Sequence, residues 1–299
     1  MPPESKVTGR VQAGNGHPPI GLMGLGTVGS AARAYLESRG HRLRLYDPYL
    51  GLGSVQEINE ARVIFVCVPT PYHERHGFDP SAVQEAVGLL EPEKIVVLKS
   101  TVLPGTTDFL QRRYREHRLL FNPEFLREAT ARQDFARPDR QIVGHTEASR
   151  AVAEEVLSLL PRAPFMRIVT AAQAEMAKYM ANAFLAVKVS FANEIYNLCS
   201  ALGIEYDALR PLVAADPRIG PSHLDVLHGG YRGYGGKCLP KDTRSLMDLA
   251  RALNVTLRVL AAAHDVNQEL LPADLDGSIV RLPARENARR RMAVEETAA

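Results

Sequence analysis

The chain has 299 residues, an apolar content of 45 % and a net charge of +2. That is long enough for two domains, and the charge selects no polyanionic partner. Its three cysteines, Cys67, Cys199 and Cys238, argue against a disulfide framework and for a reducing, cytoplasmic setting. No Cys-x-x-Cys or Cys/His cluster has zinc spacing, so no metal is expected. No run reaches ~18 apolar residues and Met1–Pro18 has no signal-peptide core, so no membrane partner is expected. The arginines at 289–291 are flanked by Glu286, Glu295 and Glu296, the pattern of a solvated tail rather than a nucleic-acid patch.

In chain order, residues 1–17 read as disordered and Ile20 to Met23 as a short apolar strand. Thr27 to Arg39 has helical spacing, and His41 to Asp47 reads as a second strand. The unbroken apolar run Val63 to Val68 predicts a strand covered on both faces, with Cys67 inside it as a small core residue. Ser81 to Leu90 follows as a helix and Lys94 to Lys99 as another buried strand. Alternating strands and helices predict an α/β, doubly wound parallel sheet. Near residue 170 the character changes. Ala171 to about Leu202 is one long alanine-rich helical pattern, and a second helical zone runs from about Leu239 to Asn267. The expected domains are a Rossmann domain over 18–168, an all-helical domain over 169–270 and a flexible tail over 271–299.

Gly24-Leu25-Gly26-Thr27-Val28-Gly29 is a G-x-G-x-x-G that follows a strand, opens a helix and precedes Asp47 by eighteen residues. In that context it is a dinucleotide fingerprint. Gly24 permits the turn, Gly26 lets a pyrophosphate approach, and Gly29 allows close helix–strand packing. The helix N-terminus at Thr27 and Val28 offers free N–H groups. Asp47 fits the ribose hydroxyls and repels a 2′-phosphate, which favours NAD over NADP, although Arg42 and Arg44 stand nearby. Pro69-Thr70 and Ser100-Thr101 close their strands at the carboxyl edge, where ligands bind in such sheets.

Three pairs are spaced by four: Glu124/Glu128, Lys178/Asn182 and Cys238/Asp242. In a helix each pair shares a face. Cys238 follows a glycine-rich bend, Gly233-Tyr234-Gly235-Gly236, with Lys237 and Lys241 beside it. A cation or helix N-terminus lowers a thiol pKa and makes a nucleophile; the other reading is a glycine-rich turn with an inert cysteine. Nucleophile, acid/base and charge stabiliser are all present, and spacing does not show whether they converge.

Asn122-Pro-Glu-Phe-Leu-Arg-Glu128, Ser100-Thr-Val-Leu-Pro-Gly-Thr106, Asn182-Ala-Phe-Leu-Ala186 with Phe191-Ala-Asn-Glu194, and Gly235-Gly-Lys-Cys-Leu-Pro-Lys-Asp242 resemble the UDP-glucose/GDP-mannose dehydrogenase family from about Ile20 to Asn267. The resemblance implies two NAD-dependent oxidations that take a primary alcohol to a carboxylate. It makes Cys238 the nucleophile and matches Thr101, Glu124, Lys178, Asn182 and Asp242 to catalytic positions. Glu128 and Lys241 match positions close to NAD. Arg218-Ile219-Gly220 resembles a segment of the sugar pocket, often contributed across a dimer, and the 171–202 helix has the length of the family's dimer core.

The chain departs from the family in three places. A third, nucleotide-binding domain is expected after Asn267, yet only about thirty residues follow, so the chain is expected to lack it. The stretch from Asp47 to Val63 is short. Lys237 stands where the family usually has serine, either meeting a substrate anion or facing solvent. These departures favour a compact substrate alcohol (a nucleoside, nucleotide or phosphorylated alcohol). The alternatives are a nucleotide sugar, with a dimer or partner chain supplying contacts, and a non-catalytic NAD-binding assembly subunit.

Overall fold

The computed structural model describes residues 18–228 and 230–271. The expectations for residues 1–17 and for the tail beyond Leu271 lie outside the described residues. The first half is built from β1 (Ile20–Met23), α1 (Thr27–Ser38), β2 (Leu43–Tyr46), α2 (Val55–Ile58) and β3 (Val63–Val66). A small hairpin of β4 (Tyr72–His73) and β5 (Gly77–Phe78) follows, then α3 (Ser81–Gly88), β6 (Ile95–Leu98), α4 (Thr106–Arg113) and β7 (Arg118–Phe121). It ends with α5 (Ala131–Ala136), β8 (Arg140–His145), α6 (Ala153–Leu159) and β9 (Phe165–Thr170).

Seven of these strands form one sheet in the order β2-β1-β3-β6-β7-β8-β9. The first five are mutually parallel, as expected, but β8 runs antiparallel to β7 and β9 pairs parallel to β8. The sheet is therefore mixed. The chain leaves β7 at the carboxyl edge, stays there through α5, and re-enters the sheet from the edge it left.

Side chains alternate across the sheet with period two. Leu22, Phe65, Val97 and Leu120 pack in one buried cluster with residues of α1, α5 and α6. Met23, Ile64, Val96 and Leu119 pack in the other, with residues of α3 and α4. Both faces are covered, which is why these strands read as unbroken apolar runs. Strand β3 stops at Val66, so Cys67 is not inside it. Its N–H still donates to Met23 O (2.7 Å), and burial pushes its thiol up to about 12.

The second half is α7 (Ala171–Leu202), α8 (Tyr206–Ala214), a hairpin of β10 (Leu227–His228) and β11 (Tyr231–Arg232), then α9 (Leu239–Ala252) and α10 (Arg258–Leu270). The 32-residue α7 starts with a reciprocal Thr170/Gln173 capping box and ends at Gly203 in the left-handed region (φ 69°). The helical zone expected from about Leu239 to Asn267 consists of two helices, separated where Asn254 adopts φ 57° and β-branched Val255 and Thr256 follow it. Helix α7 buries alanines together with Glu175, Lys178, Asn182 and Asn193. The opposite side leaves Met180, Phe184, Phe191, Leu198 and Leu202 exposed along its length.

Two of the polar contacts between the halves lie away from the candidate site. Tyr72 of the β4–β5 hairpin donates to Asp248 Oδ2 of α9 (2.7 Å), beside an Arg244–Glu74 ion pair. The second is Glu175 of α7, fully buried, which accepts from Gly105 N (2.6 Å), Thr107 N (2.8 Å) and Thr107 Oγ1 (2.6 Å) at the start of α4. Burial pushes Glu175 from 4.5 up to about 7, against those three bonds and with Asp108 adding to the rise. A carboxyl raised in the folded state leaves stability intact below the unfolded value and removes it as pH climbs through the folded one. Unfolding free energy is expected to fall by about 3 kcal/mol between pH 4.5 and pH 8, at ~1.4 kcal/mol per unit. Urea titrations across that range check this, and the slope should be absent in Glu175→Gln.

Candidate active site

The glycine turn has the geometry that the sequence implied. A Cβ on Gly29 would stand 1.9 Å from Gly24 O, so that position holds glycine for packing. A Cβ on Gly26 would meet nothing within 4 Å, so no protein group requires glycine there. Helix α1 also has no side-chain cap over its first N–H groups. Uncapped donors above open space at Thr27 and Val28 fit a dinucleotide pyrophosphate. Asp47 is buried and anchors the turn: Oδ2 accepts from Leu25 N (2.7 Å), and Oδ1 accepts from Tyr49 N and Leu50 N. Arg44 pairs with Glu60 (2.6 Å). Gly26→Ala is expected to leave the melting temperature unchanged while weakening NAD binding by at least ~10-fold. Gly29→Ala should lower stability by about 1–3 kcal/mol. Calorimetry and NAD titration of the two variants check the contrast.

At the carboxyl edge, Thr70 Oγ1 donates to Thr101 O (2.9 Å) and Ser100 Oγ donates to Val68 O (2.6 Å). These bonds draw the loops after β3 and β6 together, with Pro69 exposed beside them. The loop after β7 is held by Asn122, fully buried, which accepts from Lys99 Nζ (2.6 Å) and donates to Ile142 O (2.8 Å).

Glu124 and Glu128 do not share a helical face. Residues 122–127 form no helix, Glu124 Oε2 accepts from Leu126 N (2.8 Å), and Glu128 only begins a 3₁₀ turn. Glu124 faces inward, where Lys178 Nζ lies 2.8 Å from its Oε1, while Glu128 is exposed. Burial pushes the Glu124 carboxyl up, but the charge and hydrogen bond of Lys178, the Leu126 N–H and the charge of Lys99 together outweigh it, holding Glu124 below its usual range.

One turn along α7 from Lys178, Asn182 Nδ2 donates to Asp242 Oδ2 (2.6 Å). Asp242 is buried in the first turn of α9, its N–H bonded to Cys238 O (2.9 Å), and Lys241 Nζ lies 2.6 Å from Oδ1. Cys238 caps the N-terminus of α9 and is exposed. Its thiol feels Glu124, Lys178, Asp242 and Lys241. The expectation of a lowered thiol pKa is not met. Burial of the surroundings pushes it up, Glu124 adds to the rise, and Lys178 and Lys241 only partly offset them.

The structure does not bring every named residue to this cluster. Arg218 is exposed and paired with Asp216 two residues away (2.6 Å), in a loop held to α7 by Lys188 bonds to Ile219 O and Gly220 O. Lys237 faces solvent. Two residues unmarked by the sequence matter for placement. Asn267 of α10, fully buried, accepts from Tyr234 N (2.6 Å) and donates to Tyr234 O (2.9 Å), clamping the bend before Cys238. Tyr231 lies where a Cβ on Gly235 would come within 2.5 Å of its hydroxyl. The only signal for either was a polar residue in an apolar helix and an aromatic beside glycines.

Fold and site together define a dinucleotide-binding domain joined to a helical domain that presents a cysteine. Comparison with known proteins narrows this. Residues 52–160 match the NAD binding domain of the UDP-glucose/GDP-mannose dehydrogenase family, and residues 172–269 match that family's central domain. The chain belongs to this family. Gly24–Gly29 and Asp47 precede the matched segments, so their assignment rests on the geometry above. The chain is 36 % identical over 249 residues to UDP-glucose 6-dehydrogenase AglM of Haloferax volcanii, covering 76 % of this chain and 56 % of that protein. It is 39 % identical over 228 residues to UDP-glucose 6-dehydrogenase of Pseudomonas aeruginosa, covering 70 % and 49 %. Among solved structures, a UDP-glucose dehydrogenase from Pyrobaculum islandicum superposes with a TM-score of 0.76 at 29 % identity, covering 87 % of this chain and 70 % of that one. The chain spans about half the length of the curated relatives it matches. Among the described residues, no helix is long and apolar enough to cross a membrane.

Proposed function

We propose that the protein oxidises a primary alcohol to a carboxylate in two NAD-dependent steps through a covalent bond to Cys238. The observation that carries this reading is the convergence of Glu124, Lys178, Asn182 and Asp242, from three separate segments, around one exposed thiol. NAD bound over Gly24–Gly29 would accept the two electrons and one proton removed from carbon at each oxidation.

The residues divide the remaining work. In the first oxidation the substrate hydroxyl proton leaves through Asp242, reached directly or through water, with Lys178 stabilising the developing oxyanion. The Cys238 sulfur then bonds to the aldehyde carbon as the C=O π bond opens, and the thiol proton passes to the former carbonyl oxygen, giving a thiohemiacetal. The second oxidation converts this to a thioester and releases the hydroxyl proton. Water, oriented by Glu124, adds to the thioester carbon; the C–S bond breaks, and acid and thiol are released. An alcohol and water thus yield one carboxylate and two NADH. An enzyme that stopped at the aldehyde would need no thiol in this position.

The substrate is proposed to be a nucleotide, nucleoside or other compact phosphorylated or sugar alcohol. A nucleotide sugar is the second reading, favoured by the relatives' names and by the exposed apolar face of α7. On that reading a second copy docks along Met180, Phe184, Phe191 and Leu198 and brings its Arg218 loop toward this site. Purified protein is to be incubated with NAD and a panel of primary alcohols that includes UDP-glucose, with NADH counted per product. Two NADH per carboxylate support the proposal. Clean NAD binding without turnover of any alcohol would leave a non-catalytic NAD-binding subunit.

A further inference from the structure

Helix α7 carries Glu175, Lys178 and Asn182 at spacings of three and four, all buried, and each meets a different segment. Lys178 holds Glu124 in the loop after β7, and Asn182 holds Asp242 at the start of α9. Glu175 holds the start of α4 through Gly105 N, Thr107 N and Thr107 Oγ1, and the oxidation chemistry gives it no part. Gly105, the N-cap of α4, stands at φ 93° and has no side chain with which to cap it. The Glu175 carboxyl fills that place from another element. In the same loop lies Thr101, whose carbonyl accepts from Thr70 Oγ1 in the loop after β3. That second loop backs the glycine turn: a Cβ on Gly24 would come within 2.7 Å of Cys67 O. One buried carboxyl is therefore tied, through two loops at the carboxyl edge, to the turn that fits the dinucleotide pyrophosphate.

We propose that Glu175 is a positioning residue of the NAD site: it fixes the loops after β6 and β3 in the form that receives the dinucleotide, so NAD binding and ionisation of Glu175 favour each other. The inference rests on the dinucleotide turn and needs no alcohol to be oxidised. An ionised carboxyl offers only acceptors, and the three groups at the start of α4 all donate to it. Protonation turns the Thr107 hydroxyl into the acceptor of the new proton and leaves the two backbone N–H groups bonded to a neutral carboxyl. Charge-assisted bonds are about twice as strong as neutral ones, so the start of α4 is held less firmly. Burial raises Glu175 to about 7, and the proton therefore leaves near neutral pH. Two titratable neighbours couple to it: Asp108 from α4, which adds to the rise, and Tyr179 one turn on along α7. The charge that lowers folding stability is the one that tightens the loops.

The experiment titrates NAD by calorimetry into the full chain from pH 6 to pH 8, in buffers of differing ionisation enthalpy. Wild type is expected to bind at least ~3-fold more weakly at pH 6 than at pH 8, because protonated Glu175 opposes the bound form. By the same linkage, binding near pH 7 should release up to about 0.4 proton per NAD. Glu175→Gln turns one amide N–H₂ toward a backbone N–H. It should bind NAD at least ~3-fold more weakly than wild type at pH 8, with a flat pH profile and no proton release. Thr107→Val should lose part of the affinity, and Thr107→Ser, which keeps the hydroxyl, should restore it. Thermal melts confirm that each variant is folded. Should Glu175→Gln fail to fold, wild-type proton release and the Thr107 pair decide. A wild-type NAD affinity independent of pH overturns the proposal. So does a Glu175→Gln profile that keeps the wild-type slope, which gives the proton to another group. A Glu175→Gln variant that binds NAD as wild type does and changes only in stability reduces Glu175 to a structural contact. None of these readouts needs turnover. A chain that shows them and oxidises no alcohol keeps this inference and removes the oxidation reading, and turnover without them does the reverse.

Discussion

Cys238→Ser is expected to lower carboxylate formation by at least ~1,000-fold while leaving the fold and NAD affinity intact. The residue is exposed and supports no core packing, so the melting temperature should not move. The loss should fall on the second half of the reaction. The first oxidation needs only the base and the oxyanion cation, so aldehyde should accumulate, trappable with a hydrazine, at one NADH each. A variant that makes carboxylate at the wild-type rate ends the thioester mechanism. The raised thiol pKa adds a second readout. Alkylation of Cys238 in the free protein should be slow at neutral pH and should accelerate only above the ordinary thiol range, because the thiolate is the reactive form.

Lys178→Ala is expected to produce two losses with different origins. Removing the oxyanion donor should lower kcat by about 10²–10³-fold. Removing the partner of a buried carboxylate should also destabilise the protein by about 3–5 kcal/mol. The Glu124 and Lys178 side chains are only 10 % and 4 % exposed, so solvent screens neither. Adding Glu124→Gln to Lys178→Ala removes the stranded charge. It should restore much of the stability and none of the activity, which separates structural from catalytic cost in one cycle. The pH dependence has the opposite sign from that of Glu175. Glu124 is held below 4.5 in the folded state, so its contribution is present above that pH and drains away as pH falls through the depressed value. In Lys178→Ala that acid-side loss should disappear. Urea titrations from pH 3 to pH 7 measure it, and a variant as stable as wild type would remove the argument for a paired buried charge.

Much of this was legible before any fold was known. Unbroken apolar runs at Val63 and Ile95 meant strands covered on both sides, because nothing else tolerates so many adjacent β-branched residues. The spacing of Gly24, Gly26 and Gly29 before Asp47 pointed to the dinucleotide turn: Gly24 and Gly29 answer local steric demands, and Gly26 leaves open space. The alanine-rich stretch from Ala171 to about Leu202 marked α7, which the structure runs over Ala171–Leu202 between the Thr170 cap and Gly203. These are local effects, governed by neighbours within a turn or two of chain.

Tertiary structure decided the rest. The reversal of β8 depends on where α5 comes to rest, which no periodicity encodes. The shared face that the Glu124/Glu128 spacing would give in a helix does not form, because residues 122–127 are not helical. The thiol of Cys238 lies beside two lysines in sequence, yet burial and Glu124, 114 positions away, set the direction of its pKa. Desolvation and charge depend on distance in space rather than along the chain. The sequence could single out Cys238, Glu124, Lys178, Asn182 and Asp242 as candidates, but only the packing of α7 against the β7 loop and α9 could bring them together.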